Sequence, residues 1–405
     1  MRRDSPRDCL HYNASKLEPQ NTYDHNVYIL GAGFSKDAGA PLVHDFLDRA
    51  REFYDDPDSA LDPQEREQFE RVFRFKSEVA KAREKFRIDL DNIEQLFGLV
   101  EMSQRLDSAS PATRDATVYL IAKTLQLALT NTSKRPQVRM ALARGYETQT
   151  SFVRYVRPQP GGQVFDTDIY THFALLLAGK YDDQRKSASR RNTVITFNYD
   201  LIVDDALSRV GAKPEYALAD ALFDEANQSE TAVPVLKLHG STNWAICECN
   251  QIHVLGEKAT GNPGMFRSRQ CSKCQKAGLR LLLVPPSWDK SEYSQIMRPV
   301  WKKAVEAVKT ATRICVIGYS MPEADAFFKF LLALGLAEND RLYKLIVVDW
   351  VPGAPSPENT TEARWKGMLE GLFVGRRFEF CPLGFAEFIR SSIQYLLRRG
   401  EQIGS

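Results

Sequence analysis

Seven short, nearly uninterrupted apolar runs limit what this chain can fold into: Val27–Leu30, Thr193–Phe197, Val235–Leu238, Leu281–Val284, Arg313–Ile317, Leu345–Val348 and Arg377–Phe380. A strand with one face in water alternates apolar and polar residues. One buried on both faces does not. Continuous runs rich in Val, Ile and Leu therefore predict a parallel sheet covered by helices on both sides. The expected fold is α/β: a doubly wound, Rossmann-like parallel sheet closed by an amphipathic helix near Phe385–Leu397.

The runs are unevenly spaced. Between Val27–Leu30 and Thr193–Phe197, apolar residues recur at helical spacing over Leu42–Tyr54, Pro63–Arg87, Asn92–Arg105, Ala116–Leu129 and Thr171–Ala178. Asp91 and Glu94 have the form of a capping box opening one of these helices. The predicted organisation is an N-terminal arm (1–24), a nucleotide-binding domain (25–399), a large helical insertion within it (43–190) and a small zinc-ribbon-like module (245–279).

The chain has 405 residues, 43% of them hydrophobic, enough for one large α/β domain with an insertion or for two domains. Its 54 basic residues against 52 acidic ones provide no net field to gather phosphates, so nucleic-acid binding is not expected. The basic run Arg185–Arg191 reads as solvated loop. The first twenty residues lack an apolar core of signal-peptide length, and no run has the roughly 18 apolar residues of a membrane span. A soluble, cytoplasmic protein without membrane association is expected.

Strand ends carry the chemistry. Val27–Leu30 runs into Gly31-Ala-Gly-Phe-Ser35, where Gly31 and Gly33 let a pyrophosphate approach the backbone and Ser35 could cap the following helix. A purely structural tight turn is the alternative. Lys36 occupies the sixth position of the dehydrogenase pattern G-x-G-x-x-G, and no acidic strand end follows about 20 residues later, so hydride transfer is disfavoured. Thr193–Asp200 ends in Asn198 and Asp200, Val235–Trp244 contains His239 and Gly240, and Arg313–Ser320 ends in Gly318 and Ser320. Each could be ordinary: Asn198 or Asp200 a helix cap, His239 a turn bond. Ligands of open α/β sheets bind beyond the carboxyl ends of the strands, so these termini are expected to share one crevice.

Cys247-x-Cys249 and Cys271-x-x-Cys274 are two close pairs. Four thiolates suit tetrahedral zinc, and a full thiolate shell leaves no open position, so such an ion would be structural. Free surface thiols, or a module that no longer binds metal, are the alternatives. His253 is a spare ligand candidate.

Taken in order, GAGFS (31–35), TFNYD (196–200), KLHGS (237–241), the paired cysteines and IGYS (317–320) resemble the sirtuin family, above all the bacterial sirtuin-like NAD-consuming proteins of anti-phage defence. The resemblance spans about Val27 to Asp349 and leaves the helical insertion outside. It implies that Gly31, Ala32, Gly33, Phe34 and Ser35 hold the NAD+ phosphates and that Asn198 and Asp200 lie beside the nicotinamide ribose. It further implies His239 as the catalytic histidine, Gly318 and Ser320 on the adenosine side, and Asp349 at the adenine ribose. Asn198, Asp200 and His239 are thus the expected catalytic residues, NAD+ the substrate and Zn2+ the structural metal.

Two family segments are missing. Gly39-Ala-Pro-Leu-Val-His44 stands where protein deacylases have G-[IV]-P-D-F-R, and Leu283-Val-Pro-Pro-Ser-Trp288 replaces V-x-F-G-E, which helps bind an acyl-lysine peptide. Water is then the favoured acceptor. The expected function is an NAD+ glycohydrolase, a gated effector of abortive infection, with an NAD-dependent protein deacylase or a non-enzymatic NAD or ADP-ribose sensor as alternatives. The resemblance also implies a homo-oligomer and a separate trigger such as a HerA-like ATPase.

Overall fold

The computed structural model describes residues 24–397 apart from 60, 82–84, 86–87, 107–109, 131–134, 142–163, 181–189, 220, 224–230, 257–265, 267, 286–292, 323–324, 351–359 and 370–376. The arm 1–23, the run 185–189 and residues 286–288 therefore lie outside the described residues.

The chain begins β1 (Asp24–Leu30), α1 (Ala32–Lys36), α2 (Phe46–Asp55), α3 (Pro63–Val79), α4 (Ile93–Arg105), α5 (Pro111–Leu129), β2 (Gln137–Ala141), β3 (Val164–Asp168) and α6 (Ile169–Leu177). It continues through β4 (Arg190–Thr196), α7 (Ile202–Arg209), β5 (Lys213–Glu215), β6 (Leu222–Phe223), β7 (Ala232–Lys237), β8 (Gly240–Ile246), β9 (Ile252–Val254) and β10 (Arg280–Leu283). It closes with α8 (Ser294–Thr310), β11 (Arg313–Ile317), α9 (Ala326–Ala337), β12 (Lys344–Val348), α10 (Thr361–Met368), β13 (Phe378–Cys381) and α11 (Phe385–Leu397).

The main sheet has seven strands in the order β13-β12-β11-β1-β4-β7-β5, and neighbours run parallel. β1 sits in the middle, with later strands added on both sides. This is the doubly wound arrangement, with its switch of direction at β1. Val27 to Leu30, all of β11 and all of β12 are buried, which is what their continuous apolarity demands.

Leu281–Val284 does not join this sheet. Arg280–Leu283 forms β10, antiparallel to β8 in a second, four-stranded sheet ordered β10-β8-β9-β6. The apolar signature has a different cause: Leu282 and Val284 belong to the core beneath the main sheet, whereas Leu281 and Leu283 belong to a second core. A strand between two cores reads like a parallel strand.

That second core contains Phe46, Phe69, Phe73, Leu96, Phe97, Leu120 and Ile121 of α2–α5 together with Ala245, Cys247 and Cys271 of the cysteine module. The two excursions from the main sheet thus share one apolar interior. α6 belongs instead to the main core, where Phe173 meets Tyr28 edge-on at 5.3 Å. The stretch between β1 and β4 is also not purely helical, since β2 and β3 pair antiparallel within it. Both strands are short and half polar, below the apolar signal used to find strands.

The capping of α4 differs from expectation. Asn92, not Asp91, caps α4, accepting from the amides of Glu94 and Gln95 at 2.9 and 3.1 Å. The capping box belongs to α3, where Asp62 and Glu65 exchange bonds and Pro63 holds the first helical position. α3 itself stops at Val79 rather than at Arg87.

Candidate functional site

The crevice forms at the carboxyl ends of β1, β4, β11 and β12. Gly31 and Gly33 are pressed against Gly318: the Gly31 amide donates to the Ile317 carbonyl at 3.0 Å, and that of Gly33 to the Gly318 carbonyl at 2.9 Å. A Cβ on Gly31 would lie 2.5 Å from the Gly318 oxygen, and one on Gly318, at φ +63°, would lie 2.3 Å from the Phe34 nitrogen. Both glycines are therefore required by backbone contact between two strand ends, whatever binds beside them. Ser35 does not precede α1 as a cap, because α1 starts at Ala32 with Gly31 at the N-cap. Phe34 turns its ring into the core, 4.6 Å from Phe385 and 5.2 Å from Tyr170, so its side chain points away from the crevice.

Ser35 instead joins a polar relay. Its hydroxyl donates to Asp200 Oδ2 at 2.6 Å and accepts from Asn198 Nδ2 at 2.8 Å. Asn198 also donates to the Gly31 carbonyl at 2.9 Å. The carboxylate takes a further bond from the Ile202 amide at 3.1 Å, which starts α7. Burial pushes the Asp200 carboxyl above the usual aspartate range, opposed by the Lys237 charge, the Ser35 hydroxyl and the Ile202 amide. Asp200 and Asn198 thus reach both the glycine turn and the neighbouring strand end.

Lys237 was not singled out in the sequence, although a lysine inside Val-Leu-Lys-Leu was a signal. Its ammonium is fully buried, 3.0 Å from Asp204 Oδ2, and donates to the Asp200 carbonyl. Asp204 also accepts from the Tyr216 hydroxyl. A buried cation survives only when paired and bonded in this way. Lys237 therefore ties the loop bearing Asn198 and Asp200 to α7.

Ala32, Ser35, Asn198, Tyr199, Asp200, Gly318, Tyr319 and Ser320 line a cavity of about 120 Å³ with Phe197. Its other wall comes from α2, α4 and α5, including Phe46, Glu94, Phe97 and Leu125. The insertion therefore builds half of the chamber. Its contribution was invisible in the sequence, because these residues carry ordinary helical spacing.

His239 is not part of that wall. It is 3% exposed and packs edge-on against Phe197, ring centroids 5.3 Å apart. Phe197 in turn stacks face to face on Tyr319 at 4.1 Å and 8°. The structure brings Ser35, Asn198, Asp200, Gly318 and Ser320 together and places His239 behind Phe197.

A wider cavity of about 500 Å³ opens on the other side of the glycine turn, between Gly33, Lys36, Gly318, Ser320, Asp349 and Trp350. Asp349 directly follows β12 and accepts from the Thr361 hydroxyl at 2.6 Å. Burial raises its carboxyl, against the pull of Thr361, the Trp350 amide, Arg364 and Lys36. Lys36 lies 4.4 Å over the Trp350 ring.

The four sulfurs of Cys247, Cys249, Cys271 and Cys274 lie within 4.8 Å of one another, with Cys247–Cys274 at 3.4 Å and Cys249–Cys271 at 3.7 Å. Four thiolates at about 2.3 Å from zinc stand about 3.8 Å apart in a tetrahedron, so the cluster fits a structural Zn2+. Each pair is followed by a residue at positive φ, Asn250 at 63° and Gln275 at 60°, which turns the backbone around the sulfurs. His253 Nε2 lies 3.4 Å from Cys271 Sγ, positioned to orient a ligand rather than to add a fifth.

No helix among the described residues is long and apolar enough to cross a membrane. No protein-family model and no curated protein matches this sequence. Among the solved structures with a related course of the chain are Sir2 proteins. One, concerned with the mechanism and regulation of Sir2 enzymes, is 13% identical over 93% of this chain and 94% of that one, at a TM-score of 0.40. A Sir2 protein bound to a propionylated peptide is 12% identical over 91% and 92%, at 0.36. Sir2 with a p53 peptide and NAD+ is 12% identical over 91% and 92%, at 0.35. At these values the likenesses assign neither family nor activity to this chain.

Proposed function

We propose that this protein hydrolyses NAD+ to nicotinamide and ADP-ribose. The observation that carries the reading is the Asn198–Ser35–Asp200 relay, hydrogen-bonded at 2.8 and 2.6 Å at the mouth of the glycine turn. It joins two of the segments that resemble sirtuins at the carboxyl ends of the central strands, where such a ligand would lie.

In this reading the nicotinamide end enters the chamber lined by Asn198, Tyr199 and Asp200. The backbone of Gly31 to Ser35 borders the pyrophosphate, Gly318 and Ser320 the adenosine, and Asp349 the adenine ribose. Cleavage breaks the bond between ribose C1′ and the ring nitrogen, whose electron pair leaves with nicotinamide. Water attacks the oxocarbenium-like carbon and loses a proton. The Nδ2 hydrogens of Asn198 are taken by Gly31 and Ser35, which leaves its Oδ1 to accept from and orient that water. His239 supplies an imidazole that can serve as the general base for that proton. It reaches a ribose hydroxyl or the water once Phe197 and Tyr319 part, so the ring stack is the gate that an NAD+-consuming effector needs. Such an effector fits a role in anti-phage defence, working as a homo-oligomer with a separate sensor such as a HerA-like ATPase.

The test is nicotinamide release from NAD+ with and without an acyl-lysine peptide, in wild type, Asn198→Ala and His239→Ala. Peptide-independent release that both substitutions abolish supports hydrolysis. Release only with the peptide makes the protein a deacylase, and binding without turnover makes it a sensor.

A further inference from the structure

Among the described residues, α9 is packed on one face only. Phe328, Leu331 and Leu332 are buried, Gly335 lets the helix press against Val308 of α8, and the Phe327 ring lies tilted against Trp301 at 4.6 Å. The opposite face presents Phe330, Ala333, Leu334 and Ala337 to solvent, with Phe330 69% and Leu334 63% exposed. Their spacing of three, four and seven residues draws one continuous stripe along the helix. Scattered exposed apolar residues are common, but a full helical seam is the signature of a partner helix.

We propose that α9 pairs with α9 of a second copy of this chain, antiparallel across a two-fold axis between Ala333 and Leu334. The stripe is self-complementary only in that register. Phe330 then faces Ala337 of the partner subunit, and Leu334 faces Ala333 of the partner subunit, large against small at every level. The same symmetry sets Lys329 opposite Glu338 of the partner subunit, one pair at each end. Glu338 is already bonded to Lys309 within its own chain and is 64% exposed, so it keeps oxygen for a second cation. A two-fold contact needs such a match, because one surface must serve as both halves. One helix pair buries less than the roughly 800 Å² per partner of a standard interface, so the association is micromolar rather than permanent. The inference does not rest on the NAD+ reading.

The test is the mass of the full chain by sedimentation velocity from about 1 to 100 μM. Wild type should rise from one chain to two, whereas Phe330→Glu should stay at one chain over the same range with an unchanged thermal transition. Lys329→Glu and Glu338→Lys should each weaken the dimer several-fold alone. Mixed in equal amounts they should restore it, because each then meets its opposite charge twice. A wild type that stays monomeric, or a mass increase that survives Phe330→Glu, overturns the surface. A mixture no better than either charge variant alone overturns the register.

Discussion

Phe197 and Tyr319 lie face to face, ring centroids 4.1 Å apart and 8° from parallel, with His239 edge-on to Phe197 outside the chamber wall. Aromatic pairs contribute about 0.5–1.5 kcal/mol beyond the area they bury. That is small enough for substrate or partner to open. Phe197→Leu removes the stack but keeps an apolar side chain, so nicotinamide release from the isolated protein is expected to rise about ten-fold, the equivalent of 1.4 kcal/mol. Unchanged release would mean that the stack is packing and not a gate.

Lys237 is expected to be the most sensitive polar position outside the chamber. Lys237→Met leaves Asp204 buried without its cation, a loss of about 3–5 kcal/mol. The double variant Lys237→Met, Asp204→Asn should recover a good part of it, because the stranded charge is gone. Denaturant unfolding of the two variants measures both effects. Equal instability of the single and double variants would show that Lys237 acts through shape alone.

Much of the fold was legible because burial on both faces leaves a continuous apolar record, as in Val27–Leu30 and Leu345–Val348. The same record misplaced Leu281–Val284, whose two faces are covered by different cores. The Asn198–Asp200 and Gly31–Ser35 segments were readable as strand ends. Their joining through Ser35 was not, since a hydroxyl in a short helix looks like a cap until its partner is placed. The stack of Tyr319 on Phe197 was not legible either, since nothing in the spacing of the two residues reveals it. The chamber wall formed by Phe46, Glu94 and Phe97 depends on how α2 and α4 dock, which helical periodicity does not specify.

Acid stability should report two buried imidazoles. Burial depresses His25 and His172 from 6.5 to about 4, helped at His25 by the nearby Arg191 charge. Both are neutral in folded and unfolded chains above pH 6.5, so their contribution is fully present there. Between pH 6.5 and 4 only the unfolded chain takes up the protons, so stability falls as pH drops, by on the order of 3 kcal/mol per histidine. His172→Met should flatten that part of the profile in chemical unfolding at stepped pH. A profile equally steep in the variant would assign the acid loss to other groups.

Metal removal should unlock the second core as well as the module, because Cys247 and Cys271 are buried among the residues that α2–α5 pack against. The protein is expected to carry one zinc per chain by elemental analysis. Stripping it with a strong chelator should lower the thermal transition markedly, and Cys271→Ser should lower both zinc content and stability. A fully stable metal-free protein would show that the sulfurs are free thiols.

The central claim is tested most directly by following NAD+, nicotinamide and ADP-ribose together, in the wild type and in Phe197→Leu, with no acyl peptide present. The account predicts equal amounts of nicotinamide and ADP-ribose, the oxygen at ribose C1′ coming from labelled water. Asn198→Ala should lower the rate at least a hundred-fold, about 2.7 kcal/mol in the barrier. Intact NAD+ in both the wild type and Phe197→Leu, or full turnover in Asn198→Ala, would contradict it.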